Sequence, residues 1–131
     1  MSFTTDHTPT TESVLGAGQT LAAAFAAGDV AALVAAFDPH GLLKLRDQPI
    51  ATGRVEIGVV WRAALGRAGF RSLELHPAEV TITGDGDRRR EMGVYALDIA
   101  TDDGFVLVES TYTITSDLGD GEPRIAMARF D

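Results

Sequence analysis

A chain of 131 residues, with 45% hydrophobic and 23% charged side chains, is long enough for one globular domain and is not typical of a disordered protein. A net charge of −8 repels phosphate backbones, so we expect no nucleic-acid partner. The chain has no cysteine, which excludes disulfides and thiol catalysis, and no apolar run of about 18 residues, so we expect no membrane span.

The N-terminal part of the chain predicts two helices after a polar lead-in. Residues 1–11 have no basic region followed by an apolar one, which predicts a flexible segment rather than a signal peptide, and a cytoplasmic protein. Apolar residues from Val14 to Phe25 follow one helical face. Gly28 suits the C-terminal cap of this helix, and Asp29 suits the N-cap of the next. The second helix is expected to end at Asp38, because the residue before a proline avoids the helical region.

A short strand and a third helix are predicted next. The stretch LLKLRD at 42–47 alternates and is followed by a turn at Pro49. Residues 53–68 then follow a helical pattern with Trp61 on the apolar side.

Beyond Gly69 the apolar period changes from 3.6 to 2, which predicts strands. The alternation changes phase at His76-Pro77-Ala78, and a one-residue shift exchanges the faces of a strand, so a bulge is expected there. Strands follow at 89–100, 105–116 and 124–131, separated by turns at 101–104 and 117–123. The basic run 88–90 is interpreted as a solvated strand start rather than a phosphate site.

Both faces of the two central strands are apolar. One face of such a sheet is expected to meet the helices, and the other a second sheet, most simply that of a partner subunit. The sequence therefore predicts a homodimer.

This order of elements resembles the nuclear transport factor 2-like superfamily. Residues 24–45, AFAAGDVAALVAAFDPHGLLKL, resemble the two-helix opening of its SnoaL-like and steroid-isomerase-like branches. TGRVEIGVVWRAAL at 52–65 is similar to their third helix, and EPRIAMARFD at 122–131 to their last strand. The resemblance covers residues 12–131 as one domain. It implies an α+β cone in which three N-terminal helices pack on a curved, mostly antiparallel sheet around an apolar pocket.

The resemblance implies a carboxylate base at the end of the first strand, where Asp47 stands. Such an Asp removes a proton next to a carbonyl group in the steroid isomerases, and Asp47 is alternatively a turn residue. Gln48 separates Asp47 from Pro49, unlike the isomerase pattern, and the first helix has no tyrosine for the oxyanion, because its inward positions are Leu21, Ala22 and Phe25. Tyr95 or Tyr112 is then the candidate donor, with core packing as the alternative for each.

Several other side chains are candidates for the pocket. Glu109 interrupts an apolar strand face, where it either serves a pocket or pairs with an arginine. Arg129 and Asp131 lie two residues apart on the last strand, and with Asp98 they are similar to the water-activating network of limonene-epoxide hydrolase; a surface ion pair is the simpler interpretation. The candidate ligand-binding side chains are Phe25, Phe37, Trp61, Met92 and Glu109.

Two hypotheses of function remain open. Fold does not fix function, and this superfamily contains both enzymes and non-catalytic domains. The first hypothesis is a SnoaL-like domain that binds a small hydrophobic molecule. The second is an isomerase, cyclase or dehydratase type of enzyme that acts on a small apolar carbonyl compound, with Asp47 as base. His7, His40 and His76 have no metal-ligand spacing, so we expect no metal and no cofactor.

Overall fold

The computed structural model describes residues 18–66, 70–84, 86–118 and 124–131. Helix α1 covers residues 18–27 and is followed by α2, Val30–Ala35. Strands β1, Phe37–Lys44, and β2, Ala51–Thr52, precede α3, Gly53–Gly66. Four strands then follow: β3, Phe70–Thr83; β4, Arg88–Thr101; β5, Gly104–Asp117; and β6, Arg124–Phe130. The predicted order of three helices and a four-stranded meander is confirmed.

Some sequence predictions concern residues outside the described part. These are the lead-in at 1–11 with His7, the first helical residues from Val14, the end of the third predicted helix at 67–68, and most of the turn at 117–123.

The joint between α1 and α2 follows from two residues. Gly28 has a φ of 68° and donates its backbone N–H to the carbonyl of Phe25 at 3.0 Å, which ends α1. The Asp29 carboxylate accepts the N–H of Ala32 at 3.1 Å, which caps α2. Both predicted caps are confirmed.

Six strands form one sheet in the order β2-β1-β6-β5-β4-β3. The β1–β6 pair is parallel and the other pairs are antiparallel, so the predicted α+β class with a mostly antiparallel sheet is confirmed. Strand β6 thus lies between β1 and β5.

The start of β1 differs from the sequence prediction. Helix α2 ends at Ala35, and Asp38-Pro39 belongs to β1 rather than to the end of a helix. The pairing of β1 with β6 shifts register between Phe37 and Leu42, and a proline, which lacks an N–H, is tolerated at such an irregularity. His40 lies in the same strand.

The predicted bulge in β3 is confirmed. Pairing with β4 shifts register between Pro77 and Glu79. Gly93 faces this point so closely that a Cβ on it would lie 2.2 Å from the carbonyl oxygen of His76. The bulge therefore requires glycine on the neighbouring strand.

The helices cover one face of the sheet, which we call the inner face. Its strand residues include Leu75, Tyr95, Tyr112, Ile114 and Phe130, all buried together with α1 and α3. Residues of the opposite parity form the outer face, where Phe105 is 62% and Leu107 60% exposed.

Arg54, at the start of α3, connects that helix to β1 by donating two hydrogen bonds to the carbonyl of Phe37, at 3.0 and 2.7 Å.

Arg89 overturns the interpretation of the basic run as solvated. Arg88 does begin β4, but Arg89 is fully buried on the inner face. Successive side chains of a strand point to opposite faces, so one of three consecutive arginines had to face the helices.

Candidate functional site

A cavity of about 650 Å³ lies between the inner face of the sheet and the helices. Side chains from α1, α3, β3, β4, β5, β6 and the loop after β1 line it. Its volume lies within the range of small-molecule sites, about 300–1,000 Å³. The apolar part of the wall includes Phe25, Val60, Trp61, Leu73, Leu97 and Phe130.

Aromatic contacts fix this wall. The rings of Phe25 and Trp61 meet edge to face at 5.9 Å, and those of Tyr95 and Phe130 do so at 5.4 Å. Phe130 also stacks on Tyr112, at 6.1 Å and an interplanar angle of 22°. Since edge-to-face and offset contacts each stabilise by about 1 kcal/mol beyond burial, the wall is preorganised.

The polar residues of the cavity come mainly from the turn after β1. Gln48 donates its N–H to the carbonyl of Leu45 at 3.1 Å, which closes a four-residue turn. Asp47 has a φ of 62°, the single described non-glycine residue with a positive φ. Arg46, Asp47 and Gln48 all line the cavity, and the exposure of Arg46 and Asp47 marks its mouth. Because a non-glycine residue at a positive φ is strained, the conformation of Asp47 supports the hypothesis that it has a functional role.

Tyr95 brings a hydroxyl group to the same cavity. The group is buried and donates to the backbone oxygen of Asp131 at 2.8 Å. Burial raises the pKa of Tyr95, the Arg46 guanidinium opposes this rise, and the charge of Asp131 adds to it. The hydroxyl is therefore neutral, and its oxygen can accept a hydrogen bond from Arg46.

A second set of polar side chains lies on the inner face behind the cavity wall. We call Arg89, Glu91, Tyr112 and Ser116 the Arg89–Glu91 cluster; all four are buried. Tyr112 donates to Glu91 Oε2 at 2.5 Å, whereas Glu91 Oε1 and Ser116 Oγ have no hydrogen-bond partner among the described residues. Burial raises the pKa of Glu91, and the hydrogen bond from Tyr112 and the charge of Arg89 oppose the rise.

The alternation along β4 indicates this cluster, which is absent from the sequence predictions. Arg89 and Glu91 share the parity of Tyr95, whereas Met92 and Val94 have the opposite parity. Extending that alternation back from Tyr95 by four and by six residues places Glu91 and Arg89 on the inner face.

The structure brings some of the predicted site residues together. Phe25, Asp47, Trp61 and Tyr95 line one cavity. Phe37 is fully buried in the core, and Tyr112 belongs to the Arg89–Glu91 cluster, so neither lines this cavity.

The remaining two candidates lie away from the helices. Met92 and Glu109 belong to the outer face, where Glu109 is exposed opposite Ala96.

The network proposed around the last strand is not assembled. Arg129 Nε and Asp131 Oδ1 lie 2.8 Å apart in a half-exposed ion pair, as the simpler interpretation predicted. Asp98 lies opposite Leu107 on β5, whereas Arg129 lies opposite Thr113 on the same strand. The hydrogen bond from Arg129 lowers the pKa of Asp131. His76 Nε2 contacts Glu74 Oε1 at 3.2 Å on the surface.

The described ranges contain neither a metal-ligating cluster nor a membrane-spanning helix. Within them, no group of three or more His, Asp and Glu side chains is placed to hold a metal ion. No helix in the same ranges is both long and apolar enough to span a membrane.

Comparisons with known proteins show the fold. No model of a protein family matches the chain, and no curated protein matches it. Among solved structures, a ketosteroid isomerase-like protein from Erwinia carotovora atroseptica is 18% identical, with a TM-score of 0.73 over 88% of this chain and 90% of that one.

Two further structures support the same conclusion. A scytalone dehydratase-like protein from Novosphingobium aromaticivorans is 14% identical, with a TM-score of 0.76 over 97% of this chain and 86% of that one. An NTF-2 like protein of unknown function from Shewanella oneidensis is 14% identical, with a TM-score of 0.73 over 91% and 96%. Together with the three helices on a six-stranded, mostly antiparallel sheet, these likenesses show that the chain has the nuclear transport factor 2-like fold.

Proposed function

We propose that the cavity binds a small, largely apolar molecule. The observation that carries this proposal is the preorganised wall of Phe25, Trp61, Tyr95 and Phe130 around a cavity of about 650 Å³. A packed core without a function would be expected to fill such a space, because cavities cost stability. The polar groups of the turn after β1 and the hydroxyl of Tyr95 would orient the ligand.

The single tryptophan of the chain makes this proposal measurable. Trp61 lines the cavity and is 2% exposed, so its fluorescence reports on that space alone. We expect titration with decanol to change the Trp61 emission. A ligand at 100 times its Kd stabilises the folded state by about 2.7 kcal/mol, so the Tm should rise in parallel.

A variant with a filled cavity provides the control. Ala64 is buried and lines the cavity on α3, so Ala64→Phe should occupy the space and abolish both responses. Ala26 is exposed on α1 outside the cavity, and Ala26→Phe should leave both intact. If the wild type responds to neither decanol nor other apolar probes of this size, the proposal is wrong.

One observation favours acid–base catalysis as a second candidate function. Asp47 and Tyr95 line the same cavity, and Asp47 is held at a positive φ. A carboxylate there would remove the proton next to the carbonyl of a bound ketone and return it after the double bond has moved or the proton has exchanged. The Tyr95 proton already binds the oxygen of Asp131, so Tyr95 would have to rotate before it could donate to the ketone oxygen.

Hydrogen–deuterium exchange tests this second candidate directly. We expect the protein to accelerate the exchange of the protons next to the carbonyl of 2-decanone in D₂O, followed by NMR. Asp47→Asn should remove the acceleration while binding of the ketone persists. Exchange at the uncatalysed rate in the presence of bound ketone would leave binding as the function.

A further inference from the structure

The cavity is electrically asymmetric. Its polar lining residues, Arg46, Asp47, Gln48 and Tyr95, lie at one end, whereas the side chains of α1, α3, β3 and β5 that line it are apolar except for the buried indole N–H of Trp61. A ligand that matches this wall has an apolar body and one polar head. The charges at the polar end therefore determine the chemistry of the head.

Arg46 is the cationic residue of this polar end. Arg46 and Tyr95 line the same cavity, and the positive charge of the guanidinium opposes the rise that burial causes in the pKa of Tyr95. Asp47 is not among the groups that act on Tyr95, although it follows Arg46 directly. The Asp131 carboxylate also acts on Tyr95, but it is paired with Arg129 at 2.8 Å. Arg46 is thus the cation that the polar end of the cavity presents beside Tyr95.

Arg46 also has donors to spare. Among the described residues, no carboxylate lies within ion-pair distance of its guanidinium. Tyr95 has given its proton to the oxygen of Asp131 and can only accept from Arg46, which occupies one of five N–H groups. The others remain available in a planar fork that matches the two oxygens of a carboxylate.

From this arrangement we propose that the ligand is an apolar carboxylic acid in its ionised form. Its carboxylate pairs with Arg46 beside the Tyr95 hydroxyl, and its hydrocarbon body extends along Trp61 and Phe25. This inference rests on the proposed binding function and deepens it by naming the head group. Asp47 lines the same end of the cavity and weakens the pair by repulsion.

Two probes with the same body separate the head group from the cavity. Decanoate and decanol share a chain length and differ in charge. With Trp61 fluorescence and calorimetry at low ionic strength, we expect the wild type to bind decanoate about tenfold more tightly than decanol, because hydrogen bonds to charged groups are the stronger ones.

Variants of three residues assign the preference. Arg46→Gln should bind the two probes equally and keep the affinity for decanol. Asp47→Asn should bind decanoate more tightly than the wild type does. Arg62 is exposed on α3 outside the cavity, so Arg62→Gln controls for the loss of one positive charge and should keep the preference.

The outcomes distinguish the two proposals. Binding of decanol with no preference for decanoate would overturn the carboxylate assignment and leave the apolar cavity in place. A preference that persists in Arg46→Gln, or disappears equally in Arg62→Gln, would also overturn it. If neither probe binds, the proposed function itself fails.

Discussion

Glu91 shows at the scale of a single residue how burial changes a carboxyl group. It is 1% exposed, and burial raises its pKa above the ordinary 4.5. A group with a raised pKa in the folded state binds protons more readily there than in the unfolded chain. Its contribution to stability is therefore fully present below the unfolded pKa and is lost as the pH rises through the folded pKa.

Because the pKa of Glu91 is raised, the stability of the wild type relative to Glu91→Gln should depend on pH. This substitution keeps the shape of the side chain and an acceptor for Tyr112. As the pH falls from 7 toward 4.5, we expect the wild type to gain free energy of unfolding relative to Glu91→Gln. Urea unfolding at several pH values measures the difference. Asp103→Asn, in the exposed turn between β4 and β5, controls for the loss of one negative charge and should not show this relative gain. A relative loss with falling pH would mean that pairing with Arg89 outweighs burial.

Asp47 lies in a backbone region that most side chains avoid. Asn and Asp tolerate positive φ better than Ala does, because their side chains form hydrogen bonds locally. We expect Asp47→Asn to keep the Tm and Asp47→Ala to lose about 1 kcal/mol of stability. Thermal unfolding of the two variants separates backbone strain from the charge of the carboxylate. Equal stability of both would show that the turn imposes no strain at Asp47.

The β3 bulge illustrates a constraint at the scale of the element. A Cβ at Gly93 would lie 2.2 Å from the carbonyl oxygen of His76. The backbones of β3 and β4 are paired at this point, so they cannot move apart without loss of hydrogen bonds. We expect Gly93→Ala to destabilise the protein by about 3 kcal/mol, as overpacking does. Gly66, in the last turn of α3, has open space around a Cβ, so Gly66→Ala should be neutral or stabilising. Chemical denaturation of both variants provides the comparison, and equal effects would contradict it.

The elements also show how far sequence reasoning reaches. The bulge at Pro77 was predictable because the alternation changes phase there, and the caps at Gly28 and Asp29 because their residue types are specific. The start of β1 was not, because Pro39 argues against a regular strand, whereas pairing with β6 accommodates an irregular one. The two-residue β2 likewise left no local signal, because its pairing with β1 defines it rather than a pattern of its own.

The candidate site was predictable only in part, for a related reason. Asp47 was a candidate because of the resemblance to the steroid isomerases, and Tyr95 was one of two candidate donors beside Tyr112, which does not line the cavity. Arg46 was not, since its importance comes from the distance to a tyrosine 49 positions later in the chain. Contacts of this kind are set by the closed fold, not by any local pattern.

For the whole molecule, the outer face of the sheet suggests an assembly. Phe105 and Leu107 on β5 are 62% and 60% exposed, and Val94 on β4 is 42% exposed on the same side. We propose that this face joins two copies of the chain, as the sequence predicted. In size-exclusion chromatography with light scattering, the wild type should have twice the mass of one chain, and Leu107→Asp the mass of one.

The control for this prediction uses another exposed valine. Val55 on α3 is 83% exposed, away from the sheet, so Val55→Asp should leave the assembly unchanged. A wild type that elutes with the mass of one chain would contradict the homodimer.

The position of β6 in the sheet has a consequence for synthesis of the chain. β6 hydrogen-bonds to both β1 and β5, so until the ribosome has released residues 124–130, the sheet consists of two separate pieces. Strand β1 is synthesised before β6 and has an unpaired edge until β6 emerges, and β5 likewise exposes an unpaired edge. Nascent chains should therefore remain protease-sensitive and dependent on chaperones until residues 124–130 have emerged, and acquire their resistance in one step.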